Sequence, residues 1–456
     1  MMQTRPKLMG MVIIASVLWC APARPVSAFM QQAADKPTYT IPEYNAFQAA
    51  RGETNPQNRI KLLDDFVTKF PNSTLMPYVT QLYLSTYTEL KDYPKVIETA
   101  DKVVAQGDKV DAGVRLQALQ ARVQAFSSPG GFDPKASNAH DQLAKERDAA
   151  KQGSALLQAY PKPANSTMSD ADFAAQKKPG IAFFDASAGL ADMQLKDNAA
   201  AAESFKAALV NNPADAVTNY RLGLAYLGMT PPQSIDGFWS LARAINLKVP
   251  DADKIKDYLH KAIYNYEQPG CETSVDEQVN ELLTLAGTSG DRPATYTIPA
   301  AADLQKLAQA STILTVITDL SAGGDKAKMT WLAICGAQFP GVVGKIIEVK
   351  PGDGFVDFLV ATGADDAALQ AATTPNMDVK VWITTPPAGA AGAAQNTAQP
   401  DVTRLAKDDG LRFSGAIVSY DPTPFLLHWD QVKVDPTIIP EKAEAGKPHK
   451  RVPTKQ

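Results

Sequence analysis

From Ile41 to about Glu267 apolar residues recur at every third and fourth position. Ile60, Leu62, Leu63, Phe66, Val67 and Phe70 show the spacing, which is that of an amphipathic helix. Phe70-Pro71-Asn72-Ser73 ends this helix and a new one starts near Leu75, because proline cannot continue a helical hydrogen-bond ladder. The pattern predicts helix–turn–helix units throughout the region, interrupted by the polar stretch Ser127 to Asp141 with Pro129-Gly130-Gly131. From Gly341 the period changes. Val342–Val349, Phe355–Val360, Val379–Ile383, Leu411–Tyr420 and Phe425–Val434 read as five β-rich runs between Gly, Pro and Asp turns, the signature of a small barrel. A short helical segment, Val402 to Asp408, falls between the third and fourth runs.

The helical region carries a fixed period. Gly189 and Gly223 are 34 residues apart. Ala201, Phe205, Ala208 and Pro213 follow the first, and Leu222, Gly223 and Tyr226 form the second. These residues resemble the tetratricopeptide repeat, a 34-residue pair of helices. Asp92 to Ala100 resembles its second helix more loosely. The resemblance implies a stack of three to five helical pairs in which small residues let helices approach and Phe205 fills the gap. Pro231-Pro232 inserts a turn, after which either Trp239 or Leu241 takes the place of Phe205. Phe70-Pro71-Asn72-Ser73 also resembles exported tetratricopeptide-repeat proteins of the bacterial envelope. The strand order after Gly341, with Gly344-Lys345-Ile346 and Gly415-Ala416-Ile417, resembles the anticodon-binding-like OB-folds. A different small barrel or sandwich remains the alternative.

The expected fold is therefore an all-α helical-repeat array followed by a small all-β OB-like barrel. The expected divisions are a signal peptide at 1–28, an extended lead-in at 29–41, the helical repeats at 42–290, a partly helical connector at 291–336, the barrel at 337–438 and a disordered basic tail at 439–456. Thr38-Tyr-Thr-Ile-Pro42 recurs as Thr295-Tyr-Thr-Ile-Pro299. Each copy reads as a lead-in to a helix with proline in the first turn, or as a chance recurrence. Pro386 to Pro400 is rich in Pro, Ala and Gly without apolar periodicity and reads as a loop.

The N-terminus changes the picture of where the chain works. Arg5 and Lys7 precede an apolar run from Leu8 to Cys20, and Val26-Ser27-Ala28 supplies a small-x-small site. This is the pattern of a secretory signal cleaved after Ala28; lipidation at Cys20 is the alternative. The apolar run is short of the ~20 residues that span a bilayer, and no later segment is long enough. The expected location is periplasmic or secreted, with no transmembrane segment after cleavage. The formal charge of −4 on 456 residues becomes −7 once Arg5, Lys7 and Arg24 leave. Cys271 and Cys335 then remain, and an oxidising compartment allows a disulfide between them; two separately buried thiols are the alternative.

Hydrophobic residues at 45% and charged residues at 21% are an ordinary globular balance. Between Gly341 and Asp435 there are 7 basic and 12 acidic residues, which disfavours nucleic acid because phosphate binding needs a cationic groove. His140, His260, His428 and His449 show no metal-ligand spacing with one another or with cysteine. Gly352-Asp353-Gly354 joins two strands and reads as a hairpin turn. No catalytic or metal site and no cofactor are expected. The expected function is a non-enzymatic exported scaffold that binds a protein or peptide through the repeats. The second reading is a barrel that holds a small molecule or glycan.

Overall fold

The computed structural model describes residues 38–267, 271–387 and 396–441. The signal peptide, part of the Pro386–Pro400 loop and the basic tail beyond residue 441 lie outside the described residues. Helices come first and a closed barrel of five strands follows. The chain divides into two compact units after Asp133, inside the polar interruption at Ser127–Asp141.

The first unit holds α1 (Ile41–Gly52), α2 (Pro56–Lys69), α3 (Met76–Leu90), α4 (Tyr93–Val104) and α5 (Ala112–Phe126). Local chemistry sets their ends. Thr40 and Glu43 form a reciprocal capping box at α1, which satisfies otherwise orphaned N–H groups. Asn55 and Asp92 accept hydrogen bonds from the first turns of α2 and α4, and Pro56 and Pro94 occupy early positions there. Phe47, Leu63, Phe66 and Val79 form one core, and Leu84, Val96, Ala100 and Val103 form another.

The second unit begins with α6 (Ala139–Ala159), α7 (Asp170–Gln194), α8 (Asn198–Asn211), α9 (Ala216–Leu227), α10 (Ser234–Asn246), α11 (Ala252–Glu267) and α12 (Glu272–Thr288). Successive helices pack on one another, α6 on α7, α7 on α8, α8 on α9 and α9 on α10. This is a helical-repeat array with the expected helix–turn–helix rhythm. Asp197 and Asp215 cap α8 and α9 by accepting from backbone N–H groups. After α12 the chain runs as a strap from Ser289 to Ala300. It continues as α13 (Ala301–Ala310), α14 (Ile313–Ala322) and α15 (Gly324–Ile334).

The barrel consists of β1 (Gln338–Pro351), β2 (Phe355–Ala361), β3 (Met377–Trp382), β4 (Gly410–Pro422) and β5 (Phe425–Val434), in the closed order β1-β2-β3-β5-β4. All five expected runs are strands. β1 pairs β4 through its first half and β2 through its second, and its register shifts between Ile346 and Glu348. A bulge of this kind bends a strand and lets one strand serve two sides of a barrel. β3 and β5 are parallel through Met377↔Leu427 and Val379↔Trp429, and the other pairs are antiparallel. A short helix, α16 (Asp366–Ala371), was not read from the sequence, and a 3-10 turn at Pro400–Arg404 stands where the helical segment was expected.

The barrel core holds Phe358, Phe413 and Trp429, with the last two rings edge to face at 5.1 Å. The same core includes Val316 and Leu320 from α14 and Ala327 and Ile334 from α15. Trp331 of α15 meets Tyr420 of β4 at 5.2 Å. The edge drawn at residue 337 thus runs through a shared core. Cys271, just before α12, is bonded to Cys335, just after α15, with Cα atoms 5.8 Å apart across 64 residues of sequence. A cross-link closing a loop of that length contributes about 4 kcal/mol in the chain-entropy account.

Candidate functional site

The repeat residues sit where close packing needs them. Gly189 is buried on α7, and a Cβ there would lie 2.7 Å from two ring atoms of Phe205. Phe205, Ala201 and Ala208 of α8 are at most 2% exposed. Gly223 of α9 repeats the arrangement, since its Cβ would lie 2.8 Å from Leu241 Cγ on α10. Leu241, and not Trp239, therefore takes the role of Phe205, two residues late because Pro231-Pro232 lengthens the turn. Leu222 is buried, Tyr226 is half-buried and Pro213 is exposed in the turn between α8 and α9. A third contact of this type escaped the sequence reading. Gly153 of α6 faces Phe184 of α7, and a Cβ there would lie 2.4 Å from the ring. The signal was hidden because Gly153 does not stand at the 34-residue period.

Another face of α9 borders the core that α10–α12 share, and its side chains there are only partly covered. Val217, Tyr220, Leu224 and Leu227 are half-exposed at spacings of three and four residues. Tyr258 of α11 is 44% exposed, and it raises the Tyr220 phenol after burial has done so first. The two helices thus present one aromatic and aliphatic strip on the array. Arg221 lies beside it, half-buried. Burial lowers its pKa, with Asp215 opposing.

A second feature lies where the strap crosses the array. A cleft of about 420 Å³ opens between the first turn of α10, the end of α11 and residues 292–297. Arg292 Nε donates to Asp236 Oδ1 at 2.8 Å, and Nη1 donates to the Tyr296 carbonyl at 3.0 Å. Tyr266 meets Phe238 edge to face at 5.6 Å, and Tyr296 leans on Trp239 at 6.0 Å. Burial pushes both phenols up, with the carboxylates of Glu281 and Glu267 adding to the effect on Tyr296.

The charged groups elsewhere form structural pairs. Asp192 is fully buried and is held by Lys151 at 3.3 Å and Arg147 at 3.9 Å. On the outside of the barrel His428 lies between Asp378, 3.2 Å from Nδ1, and Asp421, 2.9 Å from Nε2. Asp357 neighbours this group, and its carboxyl is raised by burial and then by Asp378, against Lys380, Lys350 and His428. His260 faces Glu272 and Asp276 at 3.4 and 3.2 Å. His140 is exposed beside Asp141, and His449 lies outside the described residues. Among the described residues no group of three or more His, Cys, Asp or Glu could hold a metal ion, and no helix is long and apolar enough to cross a membrane.

No protein-family model and no curated protein matches the chain. Among solved structures, the C-terminal part of a TPR repeat-containing protein from Cytophaga hutchinsonii is similar at 15% identity and a TM-score of 0.24. The match covers 54% of this chain and 92% of that one. A likeness at that TM-score carries no argument about fold or function.

Proposed function

We propose that the protein is an exported, non-enzymatic scaffold that docks a protein or peptide partner on its tetratricopeptide-like helices, with an OB-like barrel as the end-piece of the chain. The observation that carries the reading is the half-exposed strip of Val217, Tyr220, Leu224 and Tyr258 on the array. Helical repeats offer extended surfaces made of side chains from successive units, and a strip at three- and four-residue spacing fits an apolar helix or extended segment. Export is supported by the three-part N-terminus and agrees with the Cys271–Cys335 bond, since structural disulfides belong to oxidising compartments. The OB-like reading of the barrel is supported by the order β1-β2-β3-β5-β4 with β3 parallel to β5. Its acidic balance keeps nucleic acid outside the proposal.

Site-specific photo-crosslinking in the native host tests the docking reading. A photoreactive residue at Tyr220 or Tyr258 is expected to give a discrete adduct that mass spectrometry assigns to one partner. The same residue at Val210, which is 79% exposed on α8, is expected to give none. Equal labelling at all three positions, or none at Tyr220 and Tyr258, overturns the reading.

A further inference from the structure

The cleft beneath the strap has a chemistry that the docking strip lacks. Its walls combine two half-buried tyrosines, Tyr266 and Tyr296, with Arg292, Asp236, Gln233 and Ser234. Arg292 and Asp236 are paired with each other, so neither is a free charge for an anion or a cation. Hydrogen-bonding capacity is nevertheless left over. Among the described residues neither tyrosine hydroxyl has a side-chain or backbone partner, and no hydrogen bond occupies Arg292 Nη2, Asp236 Oδ2 or the Gln233 amide group. These atoms make a mixed set of donors and acceptors at one place. The volume of about 420 Å³ lies within the range of small-molecule sites.

The geometry points to a neutral saccharide as the ligand of this cleft. A sugar ring has an apolar C–H face, which matches a tyrosine ring, and a rim of hydroxyls that both donate and accept. A carboxylate or phosphate would meet Asp236 beside Arg292 and gain little. A purely apolar ligand would bury Asp236 Oδ2 and the Gln233 amide without partners, which costs free energy. The strap itself supports the assignment. Arg292 is anchored by two hydrogen bonds, and Trp239 Nε1 donates to the Gly290 carbonyl at 3.3 Å, so the cleft walls are held before any ligand arrives. Such preorganisation lowers the entropy lost on binding. The cleft uses other side chains than the proposed docking strip, so it stands whether or not a protein partner is found.

Calorimetric titration of the full chain with maltose, cellobiose and N,N′-diacetylchitobiose tests the inference. At least one is expected to bind saturably. Asp236→Asn unbalances Arg292, and Tyr296→Phe removes only a hydroxyl while keeping the ring on Trp239. Each is expected to weaken binding by about tenfold at an unchanged melting temperature. Glu348→Gln, on a separate cleft against the barrel, is expected to leave binding intact. The inference is overturned if none of the three sugars binds, if both cleft variants bind as the parent does, or if Glu348→Gln removes the binding.

Discussion

The helical array and the barrel close their cores by opposite means. In α6–α12 the core contacts stay within three consecutive helices: sequence neighbours pack together, and α10 also packs on α12. Gly189 receives Phe205, Gly223 receives Leu241 and Gly153 receives Phe184. The barrel closes only when β1 meets β4, about 70 residues further on, and when α14 and α15 cover the interior with Val316, Leu320, Ala327 and Ile334. Charges differ too. The array buries Asp192 and Glu267 outright, whereas the barrel keeps Asp357, Asp378, Lys380 and His428 half-exposed on its outer wall. An array can therefore lose a contact and suffer locally, while the barrel depends on segments outside its own strands.

The largest effect should come from cutting the barrel away from those segments. A chain of residues 337–441 lacks four buried apolar side chains of the shared core. Removing a single buried Leu or Ile typically costs about 2–5 kcal/mol, so this fragment is expected to lose its cooperative melt. Residues 312–441 retain α14 and α15 and are expected to melt cooperatively with a β-rich circular dichroism spectrum. A cooperative transition for 337–441 equal to that of 312–441 would show that the barrel closes without help.

A smaller and more local effect is expected in the array. Gly189→Ala places a methyl against Phe205, a ring with no exposed surface. Overpacking of this kind costs about 1–3 kcal/mol. Phe205→Leu in the same chain should recover part of the loss, because the two positions are in contact and contacting pairs are non-additive. Urea unfolding of the parent, both single variants and the double variant measures the coupling. Simple additivity would mean that α7 and α8 do not meet at this pair.

Much of this division was legible in the sequence, and the legible parts share a cause. The 34-residue spacing of Gly189 and Gly223 is visible because a repeated close approach needs a repeated small residue. The five strands were visible as β-rich apolar runs between turn residues, and in β3 the alternation is plain, with Met377, Val379 and Val381 buried. The contribution of α14 and α15 to the barrel core was not visible, since an amphipathic helix does not announce which core it covers. Gly153 and its partner Phe184 were missed for want of a period. The strap cleft was missed for a similar reason. Asp236, Tyr266 and Arg292 are distant in sequence and come together only because the chain after α12 folds back across α10.

The subtlest difference between the two regions concerns a single proton in the array. Glu267 closes α11 with 1% exposure, and burial raises its pKa from 4.5, with a hydrogen bond from Gln278 opposing the shift. Gln278 Nε2 donates to Glu267 Oε1 at 2.8 Å. Glu267 Oε2 and Gln278 Oε1 are both buried and lack partners among the described residues. A proton on Oε2 supplies the donor that this pair is short of, so the folded array holds that proton more tightly than the unfolded chain does. A carboxyl raised in the folded state contributes stability that is complete below pH 4.5 and is lost as pH rises through the folded value. Glu267→Gln keeps the shape and carries a permanent donor at the same place. Urea midpoints measured at rising pH should therefore converge at the acid end and separate above pH 4.5, with the Gln variant the more stable of the two. Parallel curves across the whole range would mean that Glu267 enters the array already ionised, and that the array tolerates a buried charge as readily as the barrel wall tolerates an exposed one.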